Sequence, residues 1–506
     1  MAYLMGIDVG TTGTKTILMQ ESGKILSSNV QEYSLHTPRP NWAEQNPEDW
    51  WMATVKSINK VLSDSKIGGE NIKGIGLSGQ MHGAVFIDKD YKVLRPCILW
   101  CDQRTAKQCD YITEKIGKHR LIELACNPAL TGYTAGKVIW VRDNEPEVYQ
   151  NTFKILLPKD YIRFRLTGSF ATEVSDASGT LFLDVKKRRW SDEILEKLDI
   201  DRGLMPECFE SPLVSGKINN KASRITGLKA GTPVVGGGGD NAAAAVGSGI
   251  VKEGMISSSI GTSGVVFAFS QKVKKGVHTF CHAVPGKWHV MGVMLSAGGS
   301  LRWFRDNLGA EEVKQAKKRN LDPYEVLIEK ATTVPPGCEG LIFLPYLAGE
   351  RTPHANPNAK GVFFGLTLRH RKAHLIRSIL EGVAFGLRDS LEMIRGMGIS
   401  VKEVRALGGG ARSSLWRQMQ TDIMNLEMAT INVTEGAAFG AAILAGVGTG
   451  VYDSVEEACD NLILITSRTK PIRENVKIYH EYYKVYRGLY PALTLDFDKV
   501  NSLVTG

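Results

Sequence analysis

The sequence predicts an α/β protein built twice over, with mixed sheets covered by helices. Three observations carry this. Residues 3–19, YLMGIDVGTTGTKTILM, run β-stretch, Gly-Thr turn, β-stretch, and residues 255–269, MISSSIGTSGVVFAF, repeat the plan about 250 residues later. Apolar residues elsewhere switch between strand and helix spacing. A chain of 506 residues is too long for one core.

The two turns come first. Their cores, VGTTG (9–13) and IGTSG (260–264), nearly match. Glycines let backbone N–H groups point at an anion and threonine hydroxyls add donors, so the pair suits a phosphate as well as it suits ordinary hairpins. Asp8 ends the strand before the first turn. A carboxylate beside a phosphate repels it unless a cation lies between them, and Mg²⁺ fits because it takes oxygen from carboxylate, water and phosphate together. In LSGQMHGAVFID (77–88) a β-run breaks at Gln80-Met81-His82-Gly83, where polar groups suit a polyol or a structural role. ILWCDQR (98–104) ends a strand with Asp102 and Arg104, which reads as an exposed salt bridge. The run Lys186-Lys187-Arg188-Arg189 reads as a solvated face.

In VVGGGGDNAAAAVGSG (234–249) Asp240 and Asn241 are almost the only polar side chains in a run of glycine and alanine. Asp-Asn favours turns. The small neighbours also let other atoms approach a carboxylate that has no local counter-charge. HTFCHAVPGKWH (278–289) reads as two strands around Pro285-Gly286. Alternation there sets His278 and His282 on one face and Cys281 on the other, which does not make a tetrahedral zinc site. Helical spacing over 374–398 stops at Gly396 or Gly398. Residues 401–424 give strand, glycine turn and helix without a G-x-G-x-x-G or P-loop pattern. MATINV (428–433) reads as a strand, and AAFGAAILAGVG (437–448) as a helix small enough to pack closely.

Composition excludes other classes. The net charge is +9, but Lys and Arg are scattered, so an anionic small ligand is expected rather than nucleic acid. Asp8 interrupts the first apolar residues, which argues against a signal peptide, and no apolar run is long enough for a membrane span. Eight spread cysteines then read as free thiols in a reducing cytoplasm.

The set GIDVGTTGTK, SGQMHG, ILWCDQR, LLPKDYIRFRLTG (156–168), GGGGDNAAAAVG (236–247), SIGTSGVVF (259–267), GERTPHANPNAKGVFFGL (349–366), GGGARSSLWRQM (408–419) and EGAAFGAAILAG (435–446) resembles the FGGY carbohydrate kinases, in family order along the chain. The resemblance implies the duplicated actin, hexokinase and Hsp70 fold, ribonuclease H-like, with a cleft between an N-terminal sugar-binding domain (1–246) and a C-terminal nucleotide-binding domain (247–506). It implies transfer of the γ-phosphate of MgATP to a sugar, here the 5-hydroxyl of D-xylulose. Asp240 falls on the family's proton acceptor and Asp8 on its metal-site aspartate. Met81, His82 and Asn241, with Asp240, fall on the sugar side. Thr11, Thr12 and Lys15 in one hairpin and Gly261 and Thr262 in the other fall on phosphate contacts. Gly298, Gly409, Gly410 and Ser413 fall around the nucleotide. A homodimer is a further family-level expectation. Cys101, Gly136 and Ala437 depart from the residues usual at those places. Another ketose or polyol as acceptor, or a nucleotide switch without transfer, are the competing readings.

Overall fold

Tyr3–Val9 and Gly13–Gln20 pair antiparallel with Asp8 opposite Lys15, so the first Gly-Thr turn closes a hairpin. Ile25–Glu32 continues the sheet antiparallel beside Gly13–Gln20. On the other flank Ile72–Gly79 lies parallel to Tyr3–Val9, followed by Pro233–Val235 and Val214–Lys217. A computed structural model describes residues 1–275 and 278–505. The chain divides into two compact units. The first holds Met1–Lys252, Phe269–Val290 and Val433–Leu464, and the second Glu253–Ala268, Met291–Asn432 and Ile465–Gly506. The cut expected at 246/247 lies close to the first of these boundaries, at 252/253, and two later segments, 269–290 and 433–464, also group with the first unit.

Strand alternation places helices on both faces of the first sheet. Thr16 meets Ser57 of the helix Pro47–Ser65 at 2.6 Å. Gly6 points the opposite way, against the helix Ala437–Gly448, whose bounds are those the sequence predicts. The closeness expected of its small residues is present. A Cβ on Gly6 would lie 1.9 Å from the Ala438 carbonyl oxygen, and one on Gly440 1.8 Å from that of Ala243. Ala437 opens this helix at its first position, where proline is common for want of an N–H partner.

In the second unit Gly254–Ile260 pairs antiparallel with Gly264–Ser270 and parallel with Val401–Gly408. Met428–Ile431 and Ile465–Thr469 extend the sheet. The strand expected over 428–433 thus ends two residues early. The helix expected over 374–398 runs Lys372–Gly396. The helix Arg473–Thr505 buries Tyr479, Tyr483 and Tyr486 against Phe385 and Ile342. No helix among the described residues is long and apolar enough to cross a membrane.

Three surface readings change or gain detail. Asp102 and Arg104 form a buried pair at 2.7 Å rather than an exposed one, with the guanidinium 3.5 Å from the Trp42 ring. In the run 186–189, Arg188 leaves the solvated face to bind Glu210 at 2.6 Å, while its neighbours stay exposed. In the hairpin at 278–289, His282 is buried with Nε2 3.1 Å from the Ile250 carbonyl, and burial pushes it down to about 3, so it is a neutral core residue.

Candidate active site

Three strand ends bring the carboxylates together in the first unit. Asp8 pairs in register with Ser78, and Ser78 with Gly238. Directly after Gly239, Asp240 starts the helix Asp240–Gly247, so the Asp-Asn pair opens a helix and not a turn. Asp240 Oδ1 accepts from the Asn241 backbone N–H at 2.6 Å and from its side-chain amide at 2.8 Å. Burial, then the charge of Asp8, push the Asp240 carboxyl up to about 7 against those hydrogen bonds. Burial likewise pushes Asp8 up to about 6, with Ser78 and Lys15 acting the other way. Two interacting carboxyls that titrate near neutrality are characteristic of a working site.

The turn of the first hairpin is held from several sides. The Thr11 hydroxyl donates to Gln80 Oε1 at 3.2 Å and accepts from Trp100 Nε1 at 3.0 Å. The Thr11 carbonyl accepts from Gln45 at 2.7 Å and the Gly10 carbonyl from the Tyr33 hydroxyl at 2.5 Å. Thr12 is exposed, and Lys15 Nζ lies 4.0 Å from Glu435.

Met81 is buried and His82 half-buried at the break after Ile72–Gly79. His82 takes the left-handed backbone region at φ 70. Its carbonyl accepts from the buried Lys137 ammonium at 2.7 Å and from the Thr134 hydroxyl at 3.1 Å. His82 Nδ1 lies 2.7 Å from the Gly179 carbonyl. A carbonyl can only accept, so Nδ1 carries the proton and donates it to Gly179. Asn241, expected to face the sugar, turns its amide N–H onto Asp240.

The second unit carries a cavity of about 480 Å³ lined by Gly261, Thr262, Gly298, Gly409, Gly410 and Ser413, all of them expected there, together with Arg302, Tyr324 and Trp416. The second Gly-Thr turn docks on the start of the helix Gly298–Leu308: Gly298 N–H donates to the Gly261 carbonyl at 2.9 Å and Gly299 N–H to that of Thr262 at 3.0 Å. Ser413 caps the helix Ser414–Met424 by accepting from Trp416 N–H. Glycine walls beside an aromatic ring and helix starts suit a nucleotide's ring and phosphates.

Residues 3–247 match the N-terminal domain of the FGGY family of carbohydrate kinases, and residues 256–449 its C-terminal domain. The chain belongs to the FGGY family of carbohydrate kinases. A xylulose kinase of Escherichia coli (strain K12) is 42% identical over 494 residues, covering 97% of this chain and 99% of that protein. A xylulose kinase of Bacillus subtilis (strain 168) is 39% identical, covering 97% of each. The crystal structure of a xyloylose kinase from Brucella ovis matches at a TM-score of 0.88 and 36% identity, over 97% of this chain and 99% of that one. The fold is accordingly that of the FGGY sugar kinases, which use ATP.

Trp100, Gln45, Gln80 and Tyr33 around the first turn, and Arg302, Tyr324 and Trp416 around the cavity, were not among the expected site residues of this FGGY chain. Trp100 had a signal, since ILWCDQR ends an apolar run on an aromatic beside polar residues. Gln80 and Trp416 stand in SGQMHG and GGGARSSLWRQM, whereas Gln45, Tyr33, Arg302 and Tyr324 come from remote stretches that were not singled out. The segment 171–181 was also not singled out, although it touches both Gly239 and His82.

Proposed function

We propose that the protein phosphorylates D-xylulose at its 5-hydroxyl with MgATP, and that Asp240 is the general base. The observation that carries this is a partly buried carboxyl poised near neutrality, on a glycine loop where Gly239 allows Met81 within contact: a Cβ there would lie 2.9 Å from Met81 Cγ. An attacking hydroxyl must lose its proton as transfer proceeds, and a base titrating near the working pH accepts it best. Met81 offers an apolar wall, and the His82 ring can donate or accept a hydrogen bond to a sugar hydroxyl. Whole-chain similarity to xylulose kinases supports the choice of sugar.

The ATP phosphates would meet Thr11, Thr12 and Lys15 of the first turn and Gly261 and Thr262 of the second, with the adenosine in the cavity beside Gly298, Gly409, Gly410 and Ser413. Asp8 suits Mg²⁺, because its Oδ1 is buried and makes no hydrogen bond. One carboxylate is the usual protein share of a site whose other ligands are water and phosphate. When bound, the ion neutralises charge on the transferring phosphoryl group. The protein's own part is to orient the hydroxyl, take its proton at Asp240 and hold the phosphates. A cytoplasmic location fits eight cysteines none of which is in a disulfide.

The deciding experiment is a coupled ATP assay over D-xylulose, D- and L-ribulose, L-xylulose, glycerol, gluconate and L-fuculose. D-xylulose has the highest kcat/KM, and His82→Ala loses discrimination among the ketoses more than it loses ATP affinity. Another acceptor in first place removes D-xylulose from the proposal. ATP hydrolysis with no phosphorylated product supports the nucleotide switch instead.

A further inference from the structure

The segment from Glu173 to Gly179 lies wholly in the first unit and reaches both sides of the reaction. At one end, the Ser175 hydroxyl accepts from the Gly239 N–H at 3.0 Å and donates to Glu173 Oε1 at 2.9 Å. Gly239 is the residue before Asp240. Glu173 is itself immobilised. Its carboxylate accepts from Ser175 N–H at 2.7 Å, Asp176 N–H at 2.9 Å and the Ser211 hydroxyl at 2.8 Å, with Lys159 Nζ 3.6 Å away. Arg163 binds the carbonyls of Val235 and Gly236 on the same loop. Glu173, Lys159 and Arg163 are all fully buried.

At the other end, the Gly179 carbonyl holds His82 Nδ1. Gly179 also has no room for a side chain. A Cβ there would stand 2.7 Å from His82 Cε1 and Nδ1 and 2.8 Å from Met81 Cε. One short, buried stretch thus grips the loop that carries the base and the pair that faces the sugar.

We propose that Glu173–Ser175–Gly179 is a positioning brace, with Ser175 setting Asp240 through Gly239 and Gly179 setting His82 and Met81, so that base and acceptor keep a fixed separation. None of the three touches substrate on this view. The inference rests on the proposed roles of Asp240 and of Met81–His82. Because the two ends act on different partners, they separate kinetically. Misplacement of a reacting group by about 1 Å costs up to ~10²-fold in rate, so the Ser175 end appears in kcat. The Gly179 end shapes the sugar pocket and appears in KM.

The test compares Ser175→Ala and Gly179→Ala in the full chain, with D-xylulose and ATP varied separately. Ser175→Ala lowers kcat by about 10- to 100-fold, keeps the sugar KM within a few-fold, and moves the acid limb of the kcat–pH profile, since Asp240 shifts relative to Asp8 and Asn241. Gly179→Ala raises the sugar KM and flattens discrimination among ketoses, with kcat at saturation near wild type. ATP affinity is unchanged in both. Parallel changes of kcat and KM in the two variants, or a Ser175→Ala enzyme with wild-type kcat and pH profile, overturn the brace. If Ser175→Ala does not fold, Gly179→Ala decides alone: a raised KM at constant kcat supports the brace, and a lowered kcat at constant KM overturns it. If the wild type phosphorylates none of the sugars, the proposed function fails separately. The brace is then read from crystal structures, where Ser175→Ala must move Gly239 and Gly179→Ala must move His82 and Met81. Unmoved residues refute it.

Discussion

Asp240→Asn abolishes most transfer while leaving sugar and MgATP binding in place, with kcat down by about 10²- to 10⁴-fold or more. The shape is kept and only the basicity goes. Asn can still accept from the Asn241 N–H groups that hold Asp240 Oδ1. In the wild type, kcat/KM rises with pH through about 7, where the carboxyl of the free enzyme ionises, and the variant's residual rate loses that limb. Stability moves the opposite way. The folded state holds this proton up to about 7, against 3.8 for an ordinary aspartate, so folding is disfavoured increasingly as pH rises between those values. Asp240→Asn therefore melts higher than wild type at about pH 8, and the gap closes toward about pH 4. Thermal melts at both pH values, run beside steady-state kinetics, check the pair. A variant with near wild-type kcat removes Asp240 from the chemistry.

Asp8→Ala loses the steep Mg²⁺ dependence of the reaction. Metal stabilisation of phosphoryl transfer is worth several kcal/mol, which is about 10²-fold or more in rate. The motive is a buried Oδ1 that makes no hydrogen bond, beside a turn suited to phosphate. Titrating Mg²⁺ at fixed ATP, and measuring ATP-analogue affinity with and without Mg²⁺, separates metal binding from a general loss of fold. Removing one of two interacting carboxylates also lowers the Asp240 carboxyl from about 7, so the residual activity of Asp8→Ala extends to lower pH. An unchanged Mg²⁺ profile and rate would take Asp8 out of the site.

Local chemistry made much of this architecture legible in the chain. The Gly-Thr hairpins, the helix Ala437–Gly448 and the strand–glycine–helix run from Val401 to Met424 declare themselves through alternation, small residues and caps. Asp8, Asp240 and the two Gly-Thr turns stood out in such runs, whereas Gly298, Gly409 and Gly410 were named only through the resemblance to the FGGY kinases. What stayed hidden depends on partners far away in sequence. Trp100 reaches Thr11, and Ser175 reaches Gly239 across 64 residues. Asp102 and Arg104 look like surface charges until Trp42 covers them. The return of 433–464 to the first unit was hidden for the same reason, because composition does not announce it.

That return has a consequence for how the protein is made. The strand bearing Gly6 is among the first segments synthesised, yet the helix that covers it places Ala438 on it from 432 residues downstream. At roughly 5–20 residues per second on the ribosome, the glycine face of the first sheet waits about 20 to 90 seconds for its cover. Contacts of such long range slow folding. Nascent chains that stop before residue 437 therefore present an uncovered apolar sheet, and the first unit becomes resistant to protease only after its helix has left the exit tunnel.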